Sequence, residues 1–371
     1  MLDEATEPDE RTTEPLGAIV SSAMLVHAVS AMVELGVVEL LERGPGQLTD
    51  LASGVGVDPE RLRVVLRAAA ATELVREPTL DQFELTAAGE RLRGDDPSGL
   101  RDLFRMCTHG DFFGAWTQLS AAVRSDLSPF ELHTRNELFG YLAEHPEQAA
   151  IFHRAMTSSA PVDVLLEAVD PRRPATVADL SSTATVADLS PTATVADLSS
   201  TATVADLGGG EGSTLAAVLR AYPASRGVLF DLPEVVAGAD PVLRAAGVAD
   251  RCTLVGGSFF EPIPVRADLY LMVRVLQNWA PDDAVRILGN VRTAMPDNAR
   301  LLVVGHLSDR TRPDPLVEAI GLSMFVHYGA AFRTADECER LFARAGLRLH
   351  AVHRASGGGR ESVLDVRPGL E

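Results

Sequence analysis

The chain has 371 residues, 46% of them apolar, and carries 33 basic against 52 acidic side chains for a net charge of −19. That length points to two or three domains, and a field of that sign repels polyphosphate backbones, which argues against nucleic acid as a partner. Every basic residue is arginine; without lysine there is no Schiff base to pyridoxal phosphate and no P-loop lysine on a nucleotide phosphate. Cys107, Cys252 and Cys338 are scattered and form no CxxC pair, as in a reducing compartment. The start of the chain, MLDEATEPDERTTEP, is acidic without an apolar core, and no apolar run reads as approaching the ~20 residues of a bilayer span. A cytoplasmic protein with no membrane partner is expected.

In chain order, residues 1–15 read as a disordered tail. From Leu16 to about Arg43, Ile19, Ala23, Val26, Val33 and Leu40 recur at helical spacing. LTDLASGVGVDPERLRVVLRAAAATELV predicts a short helix, a Gly-containing turn, and a second helix opened by Asp58 and Pro59. FELTAAGERL predicts a short strand and a Thr-capped helix, so residues 16–100 have a winged-helix pattern. Such a scaffold serves DNA binding or dimerisation; Arg61, Arg63 and Arg67 lie among Glu60, Glu73 and Glu77, which favours dimerisation. Residues 101–173 predict a helical linker rich in aromatics and histidines, fit for a pocket wall or plain core.

ATVADL then occurs four times, from Ala175, Ala184, Ala193 and Ala202, at a nine-residue period. Only the last copy runs into a glycine turn, so Thr203–Leu207 is expected to be the true strand. Residues 174–201 read as a tandem insertion, with strand-register ambiguity a consequence of the identical copies. From 202 to 371, strands TATVADL, SRGVLFDL, CTLVGG, ADLYLMVRVL and ARLLVVGHL alternate with helices. This predicts an α/β domain with a mostly parallel sheet covered on both faces. The last two strands, LRLHAVHRAS and ESVLDVRP, suggest an antiparallel edge.

The sharpest motif is Asp206-Leu-Gly-Gly-Gly-Glu-Gly212 at the end of the first of these strands. Glycines between a strand and a helix let a ligand approach the backbone closely. The dinucleotide fingerprint GxGxxG fails, because its third glycine falls on Ser213. The pattern fits (D/E)xGxGxG, and a carboxylate at Asp206 suits the ammonium and sulfonium charges of S-adenosylmethionine better than a pyrophosphate. Asp231 closes the second strand, where an acid can accept from both ribose hydroxyls.

DLGGGEG, FDLPEVV, GGSFFEPIP, VLQNWAPDDAVRIL and GAAFRTADECERLF follow in order the motifs of the small-molecule O-methyltransferase family, which the chain resembles outside the tail and the repeats. LTDLASGVGVDPERLRVVLRAAA and FELTAAGERL resemble its N-terminal winged-helix dimerisation domain. The bacterial polyketide-tailoring branch, including enzymes of anthracycline-like compounds, is the most similar. The resemblance implies a Rossmann-like class I methyltransferase domain, a homodimer, and an aromatic or polyketide-type secondary metabolite as substrate. It places Asp206, Gly208, Gly210, Asp231, Leu232, Ser258, Phe259, Arg274 and Met156 at the cofactor and Trp279 beside the active site. Ser258 stands where an Asp is usual.

The family's catalytic tetrapeptide is typically Leu-His-Asp-Trp; here it is Leu276-Gln277-Asn278-Trp279. An amide is no general base, so Gln277 and Asn278 can only orient a substrate. The usual supporting acids fall at about Gly305 and Phe332. Three alternatives follow: transfer to an acceptor already ionised, with proximity supplying the rate; a base elsewhere, from His109, His153 or His327; or use of the cofactor for a hydroxylation, decarboxylation or cyclisation. No HxH, HExxH or paired-carboxylate spacing suggests a metal, and His350 and His353 fall on opposite faces of a strand.

Overall fold

The computed structural model describes residues 10–96, 100–108, 110–158, 162–169, 202–354 and 360–369. The ATVADL copies upstream of Ala202 and His109 lie outside them. The chain divides into two compact units, Met1–Gly114 with Leu142–Ser159, and Ala115–Tyr141 with Ala160–Glu371.

The first unit opens with α1 (Glu10–Glu34), so helix begins inside the stretch read as a tail. The helical spacing to Arg43 is not one helix: Gly36 takes a left-handed φ of 78° and α2 (Val37–Leu41) follows. The expectation about apolar runs needs correcting as well. Pro15–Glu34 is a 20-residue span of mean hydropathy 1.9, long and apolar enough to cross a membrane by those criteria alone. Its C-terminal part instead packs a protein core, with Val29, Met32 and Val33 buried, whereas Leu16, Ile19, Val20 and Met24 are exposed.

Then come β1 (Gly46–Gln47), α3 (Leu48–Val55) and α4 (Pro59–Ala70). Gly56 turns the chain with φ 73°, and the Asp58 carboxylate accepts from the Arg61 amide (3.0 Å) to cap α4, with Pro59 at its first position. The wing is β2 (Val75–Thr79) and β3 (Gln82–Leu85) in a three-stranded sheet of order β1-β3-β2. Leu48, Leu51, Leu62, Leu66 and Phe83 form its core with α1. The predicted Thr-capped helix is one 3-10 turn, Gly89–Leu92, held by Thr86, whose hydroxyl accepts from the Gly89 amide (3.1 Å). Arg63 pairs with Asp81 and Glu60, and Arg67 with Glu77.

Short helices fill the middle of the chain: α5 (Leu100–Thr108), α6 (Gly110–Gly114), α7 (Leu119–Ala122), α8 (Pro129–Thr134), α9 (Leu138–Glu144), α10 (Pro146–Ser158) and α11 (Val162–Val169).

The second unit is built on β4 (Thr203–Leu207), β5 (Arg226–Asp231), β6 (Cys252–Gly256), β7 (Leu269–Val273), β8 (Arg300–His306), β9 (Leu347–Arg354) and β10 (Glu361–Pro368). The sheet order is β6-β5-β4-β7-β8-β10-β9. β4, β5, β6, β7 and β8 are parallel, and β10 inserts antiparallel between β8 and β9. The first strand has the bounds expected of the last ATVADL copy. The final strand is interior and β9 forms the edge.

The connecting helices are α12 (Ser213–Ala221), α13 (Pro233–Val236), α14 (Asp240–Ala245), α15 (Pro281–Ala294), α16 (Pro315–Tyr328) and α17 (Ala335–Arg344). Leu301, Val303, Ile287, Leu288 and Phe342 pack one face of the sheet, and Val204, Leu215, Leu219, Leu229 and Leu302 the other. This is a doubly wound α/β domain, and its strand order reverses between β4 and β7. Ligands of such sheets bind at the carboxyl ends of the strands beside that point.

Candidate functional site

The turn after β4 needs its glycines. Gly208, Gly210 and Gly212 have φ of 75°, 59° and 84°, a region costly for residues with a Cβ. A Cβ on Gly209 would lie 2.5 Å from an Asp206 carboxylate oxygen, whereas one on Gly210 would meet nothing within 4 Å. The turn is packed against protein below and open at Gly210. The Gly208 amide donates to the Phe230 carbonyl (2.7 Å), and the Gly210 amide to Asp231 Oδ2 (2.9 Å). Asp231 Oδ1 accepts from the Leu232 amide (2.7 Å). The acid thus fastens the glycine turn to the end of β5.

Asp206 is completely buried, and neither carboxylate oxygen makes a hydrogen bond of good geometry. Burial, and then the nearby Asp231 charge, raise its pKa to about 7. An orphaned buried acid beneath an open glycine turn suits a cationic ligand. From the loop after β6, Phe259 packs on Phe230 (ring centroids 5.8 Å apart) and reaches Gly208, while Leu232 is 39% exposed at the mouth of the turn. These observations fit S-adenosylmethionine, whose adenine can lie against Phe259 and Leu232, its ribose near Asp231 and its cationic end above Asp206.

Two expected cofactor residues are already engaged. The Ser258 hydroxyl accepts from the Phe260 amide (3.2 Å), an intraloop bond. Arg274, at the left-handed φ of 57°, pairs through Nε with Glu361 at the start of β10. The sequence motif could not anticipate this, because Glu361 is 87 residues away. Met156 and His153 lie half-buried on α10 of the first unit, where His153 packs edge-on against Phe152.

Beyond β7, Leu276–Asn278 form a 3-10 turn. Gln277 is half-buried; its Nε2 lies 3.8 Å from Met324 Sδ, and its Oε1 has no partner. A Cβ on Gly305 would stand 2.6 Å from that Oε1, so the glycine where an acid was expected is what makes room for the amide. Asn278 donates its backbone amide to the Val275 carbonyl (3.1 Å). Phe332, the other expected acid position, stacks on His306 at 5.0 Å, and burial depresses the His306 pKa.

Aromatic rings surround this turn. Trp279 lies edge-on to Phe260 (5.0 Å) and stacked with Phe139 (6.4 Å), and Phe139 also meets Tyr328 on α16. One turn from Met324, His327 is buried against Trp116 and Phe130. Its Nδ1 lies 2.8 Å from the Ser323 carbonyl oxygen and 3.2 Å from the Ser323 hydroxyl. Phe139, Trp116 and Glu361 were not singled out from the sequence, since aromatics at helical spacing read equally as core. Among the described residues no cluster of three His, Cys, Asp or Glu side chains could hold a metal.

Residues 18–95 match an O-methyltransferase dimerisation domain and residues 180–348 an O-methyltransferase domain. The chain is 33% identical to the 8-amino-8-demethylriboflavin N,N-dimethyltransferase of Streptomyces davaonensis, over 96% of both proteins. The structure of the mitomycin 7-O-methyltransferase MmcR superposes with a TM-score of 0.83 at 32% identity, covering 97% of this chain and 98% of that one. CalO1, a methyltransferase of calicheamicin biosynthesis in its SAH-bound form, superposes with a TM-score of 0.74 at 30% identity, covering 98% of this chain and all of that one. The chain therefore belongs to the O-methyltransferase family, as an S-adenosylmethionine-dependent methyltransferase carrying that family's dimerisation domain.

Proposed function

We propose that the enzyme methylates a hydroxyl of a small, planar, aromatic or polyketide-type secondary metabolite, and that this hydroxyl reaches the site already ionised. The observation that carries the reading is the turn at Gln277: an amide faces a glycine where proton-abstracting machinery would stand, inside a ring of Trp279, Phe139 and Phe260. Aromatic faces suit a flat acceptor, and such relatives as MmcR act in the same chemical territory by name. The hydroxylation, decarboxylation or cyclisation alternative has no support in these residues or in the relatives.

S-adenosylmethionine supplies an electrophilic methyl group. The protein's part is to bind, orient and exclude water. Gly208 and Gly210 let the cofactor approach the backbone, Asp231 accepts from its ribose, Leu232 and Phe259 cover its adenine, and Asp206 compensates its positive charge. Ser258 and Arg274 line this region while bonded within the protein. Gln277 and Asn278 orient the acceptor, whose bound geometry accounts for most of the rate. The exposed apolar face of α1, with Leu16, Ile19, Val20 and Met24, supports a homodimer. Three free thiols suit the cytoplasm.

A second reading gives His327 the role of base, because it is buried beside Trp116 and Phe130 one turn from Met324, which contacts Gln277. Calorimetric titration with S-adenosylmethionine and its demethylated product, with Asp231→Ala as control, tests the cofactor site; absence of binding to the wild type overturns it. Methyl transfer to 2-hydroxy-1,4-naphthoquinone and to less acidic naphthols, followed by mass spectrometry, tests the acceptor. If the acceptor arrives ionised, the rise of kcat/KM with pH tracks each acceptor's own ionisation. A limb common to all acceptors and lost in His327→Gln supports the histidine instead.

A further inference from the structure

The catalytic turn is held from outside by a side chain that no motif singled out. Arg333 lies half-buried between α16 and α17. Its Nη1 donates to the Leu276 carbonyl (3.0 Å) and its Nη2 to the Trp279 carbonyl. These are the two ends of the tetrapeptide that contains Gln277 and Asn278. One planar guanidinium fork thus bridges two backbone carbonyls three residues apart.

The anchor of the fork is itself fixed. The Arg333 carbonyl accepts from the Ser308 amide (3.0 Å) just past β8. The next residue, Thr334, caps α17 reciprocally: its hydroxyl accepts from the Glu337 amide (3.2 Å), and its amide donates to Glu337 Oε2 (2.9 Å). Arg333 makes no ion pair with any described carboxylate, so its charge is spent on two neutral carbonyls. Desolvation lowers its pKa.

We infer that Arg333 is a positioning residue, which sets the placement of Gln277, Asn278 and Trp279 against the acceptor by clamping both ends of their turn. This rests on the reading of that turn as the acceptor site. Lysine cannot replace it, since one ammonium cannot span two carbonyls with planar geometry.

The chain has two tryptophans, Trp116 and Trp279, so in a Trp116→Phe background the fluorescence of Trp279 reports the clamp directly. Arg333→Ala is expected to red-shift that emission and raise its acrylamide quenching, Arg333→Lys to do so partly, and millimolar guanidinium to restore Arg333→Ala. In the otherwise native protein, kcat with 2-hydroxy-1,4-naphthoquinone is expected to fall roughly 10- to 100-fold in Arg333→Ala, with unchanged affinity for S-adenosylmethionine by calorimetry. Unaltered Trp279 emission, or loss of cofactor affinity in step with kcat, overturns the inference. If the naphthoquinone is not methylated by the wild type, the acceptor reading fails while the fluorescence and guanidinium results still decide the clamp.

Discussion

Replacing Asp206 by asparagine removes a carboxyl group that is wholly buried, lacks a good hydrogen bond and lies beneath the glycine turn. Its pKa rises from the ordinary 3.8 to about 7 because burial, and then Asp231, penalise the charged form. An acid whose pKa is higher in the folded chain holds its proton there after the unfolded chain has lost it. The contribution of this group to stability is therefore greatest below pH 3.8, falls as pH rises to about 7, and is flat beyond. Between pH 5 and pH 8 the wild type loses roughly 3 kcal/mol through this group. The asparagine leaves an unpaired amide costing about 1–3 kcal/mol, but that cost does not depend on pH. The difference in unfolding free energy between variant and wild type should thus shift by about 3 kcal/mol in the variant's favour from pH 5 to pH 8, or roughly 6–12 °C in relative Tm. Urea and thermal melts of cofactor-free protein across that range measure it, and carboxylates not coupled to Asp206 cancel in the difference. A difference constant to within about 0.5 kcal/mol would refute the reasoning, because Asp206 would then ionise as in the unfolded chain. S-adenosylmethionine should flatten the wild-type curve, and the variant should bind it more weakly.

Gly305→Ala places a methyl group 2.6 Å from Gln277 Oε1 and should lower methyl-transfer kcat about tenfold while calorimetric affinity for the cofactor stays unchanged. Tyr270→Phe leaves the Ala267 amide, which donates 3.0 Å to the Tyr270 hydroxyl, and the Val265 and Ala294 carbonyls without that partner; a loss of about 1–3 kcal/mol in urea denaturation is expected. Asp365→Ala strands the buried Arg300, to which it is paired at 2.9 Å between β10 and β8, and should cost about 3–5 kcal/mol by the same measurement.

Much of the architecture was legible locally. The apolar runs of β4, β5, β7 and β8 have no alternation because both faces are covered, so they read as buried parallel strands. Asp58 with Pro59 marked the start of α4 as cap chemistry requires. At Gly89 the sequence did not show why glycine is needed, because the reason is the Leu74 carbonyl, 1.8 Å from where a Gly89 Cβ would stand. The break at Gly36 was hidden by apolar spacing that continues across it.

The glycine turn, Asp206 and Asp231 follow from sequence alone, because a ligand that must touch backbone demands residues without a Cβ next to a strand end. So does the loss of the histidine at Gln277, a matter of side-chain identity. The engagement of Arg274 by Glu361, the space that Gly305 gives Gln277, the packing of His327 on Trp116 and the grip of Arg333 on Leu276 and Trp279 were decided only in three dimensions. Each joins residues on separate elements, and such pairings depend on the sheet order that brings strand ends together, which no local pattern encodes.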